Sequence, residues 1–595
     1  HLNKAGLMRK SIGFWVGVMG VGLLISVASA EENIRRLEFD GVMSEHKFDL
    51  KEIDPSMPAD WTDYSFLVME VRASSPERFS LWVYTEDGPR RIMLHPFGQN
   101  AWLRMSIPLA FLKGRDQIGH DLASAGNRRT NSFWMMLQGP IGPLKSVQAI
   151  GLAMDYPIGK PTIEVRGIHL SKTDEGSEFL DKRPVVDEFG QWAGVDWAGK
   201  IHSREQLAKE LSDEAKSWGP GDFKYDEYGG YTNTQAKATG FFRVEFVKER
   251  WWFVDPKGHL FLSMSVNGVA SRFGGARSVT TQPDPAVMDR INKRLLDWGM
   301  TTGGQGKPYT AYVRWPREQV LYLGLPDVYS DAFAKGVDEA AATQCTAKKD
   351  DPLLLGYFVG NEPPWPGRES DVVDMILAGR ETTIQKKLKD FLAGGDTSAR
   401  RKDFVVAAFE KYISLLCDAI HKYDPNHLTL GIRFGGSPSD EVLRVGRLFD
   451  VCSVNVYEYE PTRQIEHLYR VTGRPILIGE FHIGVPENGL AAGLVQAMNQ
   501  TERGNAYRYF VEQGAALPCF VGAHWFQWRD EPVMGRMDGE NYNIGFVDVT
   551  DRPYRELVDA AKETHKRLME VHAGMTLPFD KRPRAAEGVT PSSAW

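Results

Sequence analysis

Cysteine is scarce in this chain, with four in 595 residues: Cys345, Cys417, Cys452 and Cys519. No His/Cys pair has metal-ligand spacing, so the sequence predicts no metal or cofactor. Cys417 falls inside the helical pattern Phe404 to His421, and Cys452 and Cys519 lie in or beside strand-like runs. Such positions usually hold buried thiols that pack as small hydrophobes. Free thiols are therefore expected over any of the three pairings that four cysteines allow. A basic tract is also missing. The 71 basic and 78 acidic residues nearly balance, at a net −7, which argues against nucleic acid as a partner. Nor does any stretch after the first thirty residues reach the ~20 apolar residues of a spanning helix, so no stable membrane anchor is expected. The beginning of the chain reads as a secretory leader. Met8-Arg9-Lys10 is basic, Ile12 to Val27 is apolar, and Ala28-Ser29-Ala30 is a cleavage pattern. That predicts a secreted or periplasmic protein, and the absence of a following cysteine argues against a lipid anchor.

The remaining chain is too long for one ordinary domain. After the leader, 1–30, residues 31–185 carry short runs separated by turn residues. Phe66 to Arg72, Phe79 to Tyr84, Ser132 to Leu137, Val147 to Met154 and Thr162 to Leu170 are the main ones. Several alternate apolar and polar residues, as in an antiparallel β-sandwich of jelly-roll type. Trp61, Trp82 and Trp102 are candidates either for sugar contacts or for the sandwich core. Lys182 to Asp187 reads as a linker. Beyond it, strand-like and helix-like runs alternate, the mark of βα units. Eight strands are predicted: His259 to Val266, Met300 to Gly303, Val320 to Leu325, Leu353 to Val359, Leu428 to Ile432, Val451 to Val456, Pro475 to Gly479 and Phe520 to Trp525. Helical patterns at Val287 to Trp298, Phe404 to Tyr423, Thr501 to Gln513 and Tyr554 to His572 fit between or after them. The expected architecture is a (β/α)8 TIM barrel over residues 186–575 with a tail at 576–595. The long, charged connection Pro363 to Arg401 is expected as a lid, a cleft wall or a solvated insertion.

Two of the predicted strands end in a carboxylate. Gly356 to Pro363 contains Asn361-Glu362, and Ile476 to His482 contains Glu480. A charge at the tip of a buried strand is costly without a partner. Two of them at one barrel mouth match the needs of glycosidic bond cleavage, in which one carboxyl protonates the leaving oxygen and another attacks or activates water. Asn361 is placed to hydrogen-bond a sugar hydroxyl. Tyr457, after the sixth predicted strand, is placed to donate to Glu480, and Arg433, after the fifth, to order a carboxylate by charge. Trp525, at the end of the eighth, is placed to floor a subsite.

The chain at this point resembles the retaining clan A glycoside hydrolases, and more closely glycoside hydrolase family 50, the β-agarases. The stretches that carry the resemblance are Val186 to Gln191 with Asp196 to Lys200, and Ala238 to Arg243 leading into Trp251 to His259. Gly356 to Pro363, Ile478 to His482, and His524 to Trp528 with Asp538 to Asp548 complete it. They span about 190 to 555. The resemblance implies cleavage of β-1,4 linkages of agarose to neoagaro-oligosaccharides by double displacement, with Glu362 as acid/base and Glu480 as nucleophile. Asn361, Tyr457, His482 and Trp525 are expected to face one cleft, joined by Asn267, Gln527, Glu540 and Asn541. The residues 31–185 resemble the carbohydrate-binding-like domain that precedes such barrels. The expected partner is a polysaccharide. A clan A hydrolase of another galactan or of a β-galactoside, and a non-catalytic polysaccharide-binding protein, are the alternatives.

Overall fold

The computed structural model describes residues 34–113, 127–181, 184–219, 221–269, 285–316 and 321–583. The predicted leader, part of the linker and the end of the tail lie outside them.

The first part of the chain forms two antiparallel sheets. One has six strands, in the order Met43–Asp49, Val147–Asp155, Phe79–Thr85, Gly88–Pro96, Phe133–Leu137 and Asn127–Arg129. The other has five, in the order Arg35–Glu38, Thr162–Ser171, Phe66–Ala73, Leu103–Pro108 and Glu178–Phe179. Their inner faces share one core, in which Leu67, Met69 and Val71 meet Leu81, Val83 and Ile92. The three tryptophans separate by environment. Trp61 is fully buried and its indole donates to the Pro58 carbonyl. Trp102 meets the guanidinium groups of Arg72 and Arg166, and Trp82 that of Arg91, cation–π contacts suited to half-exposed rings.

The rest alternates strands and helices. The parallel strands among the described residues are β1 (Ser263–Val266), β2 (Tyr309–Tyr312), β3 (Leu354–Phe358), β4 (Leu428–Thr429), β5 (Cys452–Asn455), β6 (Ile476–Phe481) and β7 (Phe520–Trp525). One sheet runs β1-β7-β6-β5 and another β2-β3-β4. Backbone hydrogen bonds join them. Val451 donates to Thr429 and Phe434 to Ser453, linking the chain around β4 to β5. On the other side Thr301 and Thr302 both donate to the Met264 carbonyl of β1, and Gly303 donates to Pro308 just before β2.

Helices cover the outside: α1 (Pro285–Asp297), α2 (Asp331–Gln344), α3 (Glu369–Ala378), α4 (Thr383–Leu392), α5 (Ser398–Tyr423), α6 (Thr462–Thr472), α7 (Gln500–Ala516) and α8 (Arg555–His572). The longest, α5, starts where the Thr397 hydroxyl accepts from the Arg400 N–H and stops at Asp424-Pro425, which cannot continue a helix. No helix among the described residues is long and apolar enough to cross a membrane. All four cysteines are buried and free, in line with the expectation of free thiols.

Three expectations need correction. The strand predicted at Val320 to Leu325 is not one. Val320 lies outside the described residues, and Tyr322 and Leu325 close a tight turn through Leu323 and Gly324, both at positive φ. The neighbour of β3 is instead Tyr309–Tyr312. The stretch Met300 to Gly303 is not a regular strand either; Gly303 and Gly304 both take left-handed φ there. Finally, the Pro363 to Arg401 connection contains α3 and α4. Their Val372, Val373, Ile376, Ile384 and Leu388 are fully buried in the main core, so much of it packs as structure.

Candidate active site

The strand β5 organises the site. Asn455 is its last residue, and Tyr457 follows two positions on in the loop. Asn455 is paired in register with Glu480 of β6. Its amide nitrogen donates to Glu362 Oε1 at 2.7 Å and to Asn361 Oδ1 at 3.3 Å. Tyr457 donates its hydroxyl to Glu480 Oε2 at 2.6 Å. The end of β5 and the residue two positions past it thus tend both carboxylates.

Arg433, just past β4, supplies the positive charge. It is 5% exposed, and its Nη2 lies 3.0 Å from Glu480 Oε1. It also donates to the Gly479 carbonyl and to the Tyr312 hydroxyl of β2. Gly479 is required there: a β-carbon would stand 2.5 Å from Arg433 Nε and 2.8 Å from Asn455 Oδ1. Gly435 does the same for the other carboxylate, since a β-carbon would come within 2.8 Å of Glu362 Cγ. Glu362 itself has φ +43 and Arg433 φ +55. Left-handed backbone at non-glycine residues costs on the order of 1–3 kcal/mol and collects at functional sites. Here it is stabilised by the Glu362 N–H, which donates to the Arg433 carbonyl at 3.2 Å.

The electrostatics separate the pair. Glu362 is open to solvent yet crowded, and this loss of hydration is the first cause that raises its pKa. The Asn455 hydrogen bond opposes the rise, the charge of Glu480 adds to it and Arg433 reduces it. Glu480, 9% exposed, has a cation and a phenol on its two oxygens. Burial foremost, and then the Glu480 charge, raise the Tyr457 pKa well above its ordinary value, which keeps the phenol a donor.

The remaining predicted residues fall into two groups. Asn361 is exposed beside Glu362, and Asn267 donates to the Gly479 carbonyl at 3.0 Å, so both adjoin the pair. Glu540 is ion-paired with Arg536; burial raises its pKa to about 7, and the charge of Glu480 reaches it. The second group is enclosed. Trp525 is 1% exposed and its indole donates to Ile544 O at 2.7 Å, so it fills core between β7 and the following loop and does not present a face to a cleft. His482 accepts from the Leu494 N–H through Nε2 at 2.9 Å, and its Nδ1 lies 3.1 Å from the Phe526 carbonyl. Gln527 reaches the buried Glu531 at 3.3 Å, and Asn541 donates to Val533 O at 3.0 Å. These three brace the loops behind the carboxylates. The enclosure has a plain cause: each of these side chains makes at least one hydrogen bond to the protein, which is what permits its burial. Asn455 and Tyr312 were not anticipated. An asparagine inside the apolar run Val451 to Val456 was the available signal for the first, and the misplaced third strand hid the second.

The first part of the chain reaches this region. Arg78 donates to the Tyr542 hydroxyl, and Arg129 to the Met534 carbonyl at 2.6 Å. Between the six-stranded sheet and the loop bearing Tyr457 lies a cavity of about 830 Å³, lined by Arg78, Met93, Gln138, Tyr156, Tyr457 and Leu494 among others. A second cavity of about 640 Å³ is walled by Trp197, Glu487, Asp530 and Arg552, and neither cavity is lined by Glu362 or Glu480.

No family model matches the chain. β-Agarase B of Vibrio sp. (strain JT0107) is 26% identical over 64% of this chain and 54% of its own length. β-Agarase A of the same strain is 28% identical over 64% of this chain and 51% of its own. The chain therefore spans about half the length of these curated relatives. Among solved structures, an exo-β-agarase matches with a TM-score of 0.63 at 23% identity, covering 91% of this chain and 98% of that one. PfGH50B and the agarase AgWH50C each match at a TM-score of 0.62 and 23% identity, covering 91% and 97%. This chain has their fold. It is the mixed α/β arrangement with several sheets described above, along essentially its whole described length.

Proposed function

We propose that this protein is a retaining glycoside hydrolase that cleaves the β-1,4 linkages of agarose. The observation that carries the reading is the pair Glu362 and Glu480, served by Asn455 at the end of β5 and Tyr457 just after it, and bridged electrostatically by Arg433. The similarity to two β-agarases supports the substrate. In this reading residues 186–575 form a (β/α)8 barrel, with β1–β7 and the stretch around Thr301 as its staves, and residues 31–185 form a carbohydrate-binding-like sandwich. Both carboxylates then stand at the C-terminal mouth, where such barrels carry their sites.

The chemistry follows from the environments. Glu362, whose pKa is raised, gives its proton to the departing sugar oxygen. Glu480, held between the Arg433 guanidinium and the Tyr457 hydroxyl, attacks the anomeric carbon and forms a glycosyl ester. Water then attacks that carbon, Glu362 takes its proton, and the ester bond to Glu480 breaks. Asn361 is positioned for the hydroxyl beside the reacting carbon. A retaining pair needs its carboxyl groups ~5 Å apart, where an inverting pair leaves roughly 6.5–9.5 Å for a water.

The test is a product profile. Purified protein is incubated with agarose, porphyran, carrageenan and short β-galactosides. Neoagaro-oligosaccharides from agarose, with little release from the others, are expected. Activity on another galactan alone moves the substrate assignment, and no hydrolysis of any of them ends the reading.

A further inference from the structure

Away from the carboxylate pair, just ahead of β1, two turns face each other. Each is built on an aspartate. Asp226 Oδ1 accepts from the N–H groups of Tyr228 and Gly230, both at 2.9 Å. Asp255 Oδ1 accepts from Lys257 and His259, at 2.9 and 2.8 Å. Two sibling turns use the same device: Asp187 holds Phe189 and Gln191, and Asp548 holds Thr550 and Arg552. The second oxygen is what differs. Asp187 Oδ2 accepts from the Gln191 side chain at 2.9 Å, and Asp548 Oδ2 from Arg552 at 2.8 Å. Asp226 Oδ2 meets His259 Nδ1 at 2.8 Å. Asp255 Oδ2, on a residue with no exposed surface, has no hydrogen-bond donor. It points to the same imidazole, 3.6 Å from His259 Nδ1, and packs so closely on Gly230 that a β-carbon there would lie 2.1 Å away. One atom from each of Asp226, Asp255 and His259 falls within 4.8 Å of the others.

A buried carboxylate oxygen with no donor, on a group within 4.8 Å of a second carboxylate, is unfavourable unless something positive lies among them. From this geometry we infer that Asp226, Asp255 and His259 form a binding site for one divalent transition cation of the zinc or manganese class. Two carboxylate oxygens and an imidazole nitrogen suit such ions, whereas calcium and magnesium prefer sets made of oxygen alone. Water completes the coordination. The ion ties the Asp226 turn to the Asp255 turn, and so clamps the segment that leads into β1. Its role is structural and independent of the hydrolytic reading. The neighbouring charges are Glu227, which is ion-paired with Lys257, and Lys307, which feels both Asp226 and Glu227. The competing occupant is a proton shared between the carboxylates, for which the Asp255 pKa, raised to about 6 chiefly by burial and then by Asp226, gives the pH range.

The experiment uses the full chain, stripped with chelator at pH 8 and then dialysed against Zn²⁺, Mn²⁺, Ca²⁺ or Mg²⁺. Bound metal is measured by elemental analysis and stability by thermal melting. The expected result is one Zn²⁺ or Mn²⁺ per chain and a melting temperature raised by several degrees. In Asp255→Asn the amide keeps Oδ1 for the turn and offers an N–H to Asp226. That variant should fold and melt at or above the stripped parent, with the stoichiometric metal and its shift both lost. His259→Gln gives a second reading with a changed ligand set, and it too should lose the metal. No stoichiometric metal in the parent, uptake of Ca²⁺ or Mg²⁺ only, or undiminished binding by Asp255→Asn would each overturn the site. A parent without metal whose stability falls as pH rises through about 6, with that slope absent in Asp255→Asn, would assign the pair to a shared proton instead.

Discussion

Glu362 and Glu480 on one side, and Asp226 and Asp255 on the other, are carboxylates gathered in one molecule by different means. The aspartates are held locally, by N–H groups two and four residues along their own turns. Short polar side chains do this wherever the chain must reverse. The glutamates are held from far along the chain: Asn455 is 93 residues from Glu362, and Tyr457 is 23 from Glu480. Local turns satisfy one oxygen cheaply and leave the other to circumstance. Partners from separate strands fix both position and charge, but only once the whole fold is assembled. The difference separates a device for turning the chain from one that controls ionisation.

The strongest way to break this comparison is to remove the carboxylates at the proposed site. Glu480→Gly should lower turnover on agarose by ~10⁴-fold or more, because no glycosyl ester can form. Added azide should restore cleavage and yield a glycosyl azide of inverted configuration. Glu362→Ala should lose about 10²–10⁴-fold on agarose and less on substrates with good leaving groups, which need little acid help. With azide it should give a product of retained configuration. Swapped stereochemistry would reverse the two roles.

The next effect is on stability. Arg433→Met leaves Glu480 buried beside Tyr457 without its cation, and loss of one partner of a buried pair costs about 3–5 kcal/mol. Urea unfolding should show it as a lower midpoint. Asp187→Asn keeps the local acceptor of its turn, so a shift of similar size there would erase the distinction between the two kinds of carboxylate.

Asp530 offers a third kind, fully enclosed and bonded to the Gly545 N–H, Asn543 and Tyr554. Burial, the leading cause, lifts its pKa from 3.8 to about 7, and the charge of Arg503 offsets only part of this. The folded state then binds a proton that the unfolded chain releases. Its contribution is full below pH 3.8 and is lost as pH rises through about 7, at up to about 1.4 kcal/mol per pH unit. Asp530→Asn should flatten that part of the stability–pH curve, and an unchanged slope would reject the assignment. The smallest effect is at Tyr457. Tyr457→Phe removes one hydrogen bond to Glu480 and should lower kcat by about tenfold, on the order of 1.4 kcal/mol, with KM within about twofold. A rise in KM at constant kcat would make Tyr457 a binding residue instead.

How much of this was legible depends on how local each signal is. β3, β5, β6 and β7 appear where apolar runs bounded by Gly, Pro or polar residues predict them, because such a run is buried on both faces of a parallel sheet. β7 matches residue for residue. The strand around 320 was misread because Leu321 to Leu325 is apolar enough for a strand, yet Leu323 and Gly324 turn the chain back. Asn361, Tyr457 and Arg433 were legible as strand-end residues beside carboxylates. Trp525, His482, Gln527 and Asn541 share the same sequence signature, but loops fold over them. A strand-end position does not say whether the next loop will cover it.

The sequence by itself determined the alternation of strands and helices, the buried free thiols and the two strand-end glutamates, because each depends on residues within a few positions of one another. Only the tertiary structure decided that Asn455 serves Glu362, that Arg433 serves Glu480, and that Asp226 and His259, 33 residues apart, share one carboxylate neighbourhood. Those contacts depend on strand register and on glycines at 435 and 479 that leave room for them, and register is set by packing across the sheet, which no short stretch of sequence contains.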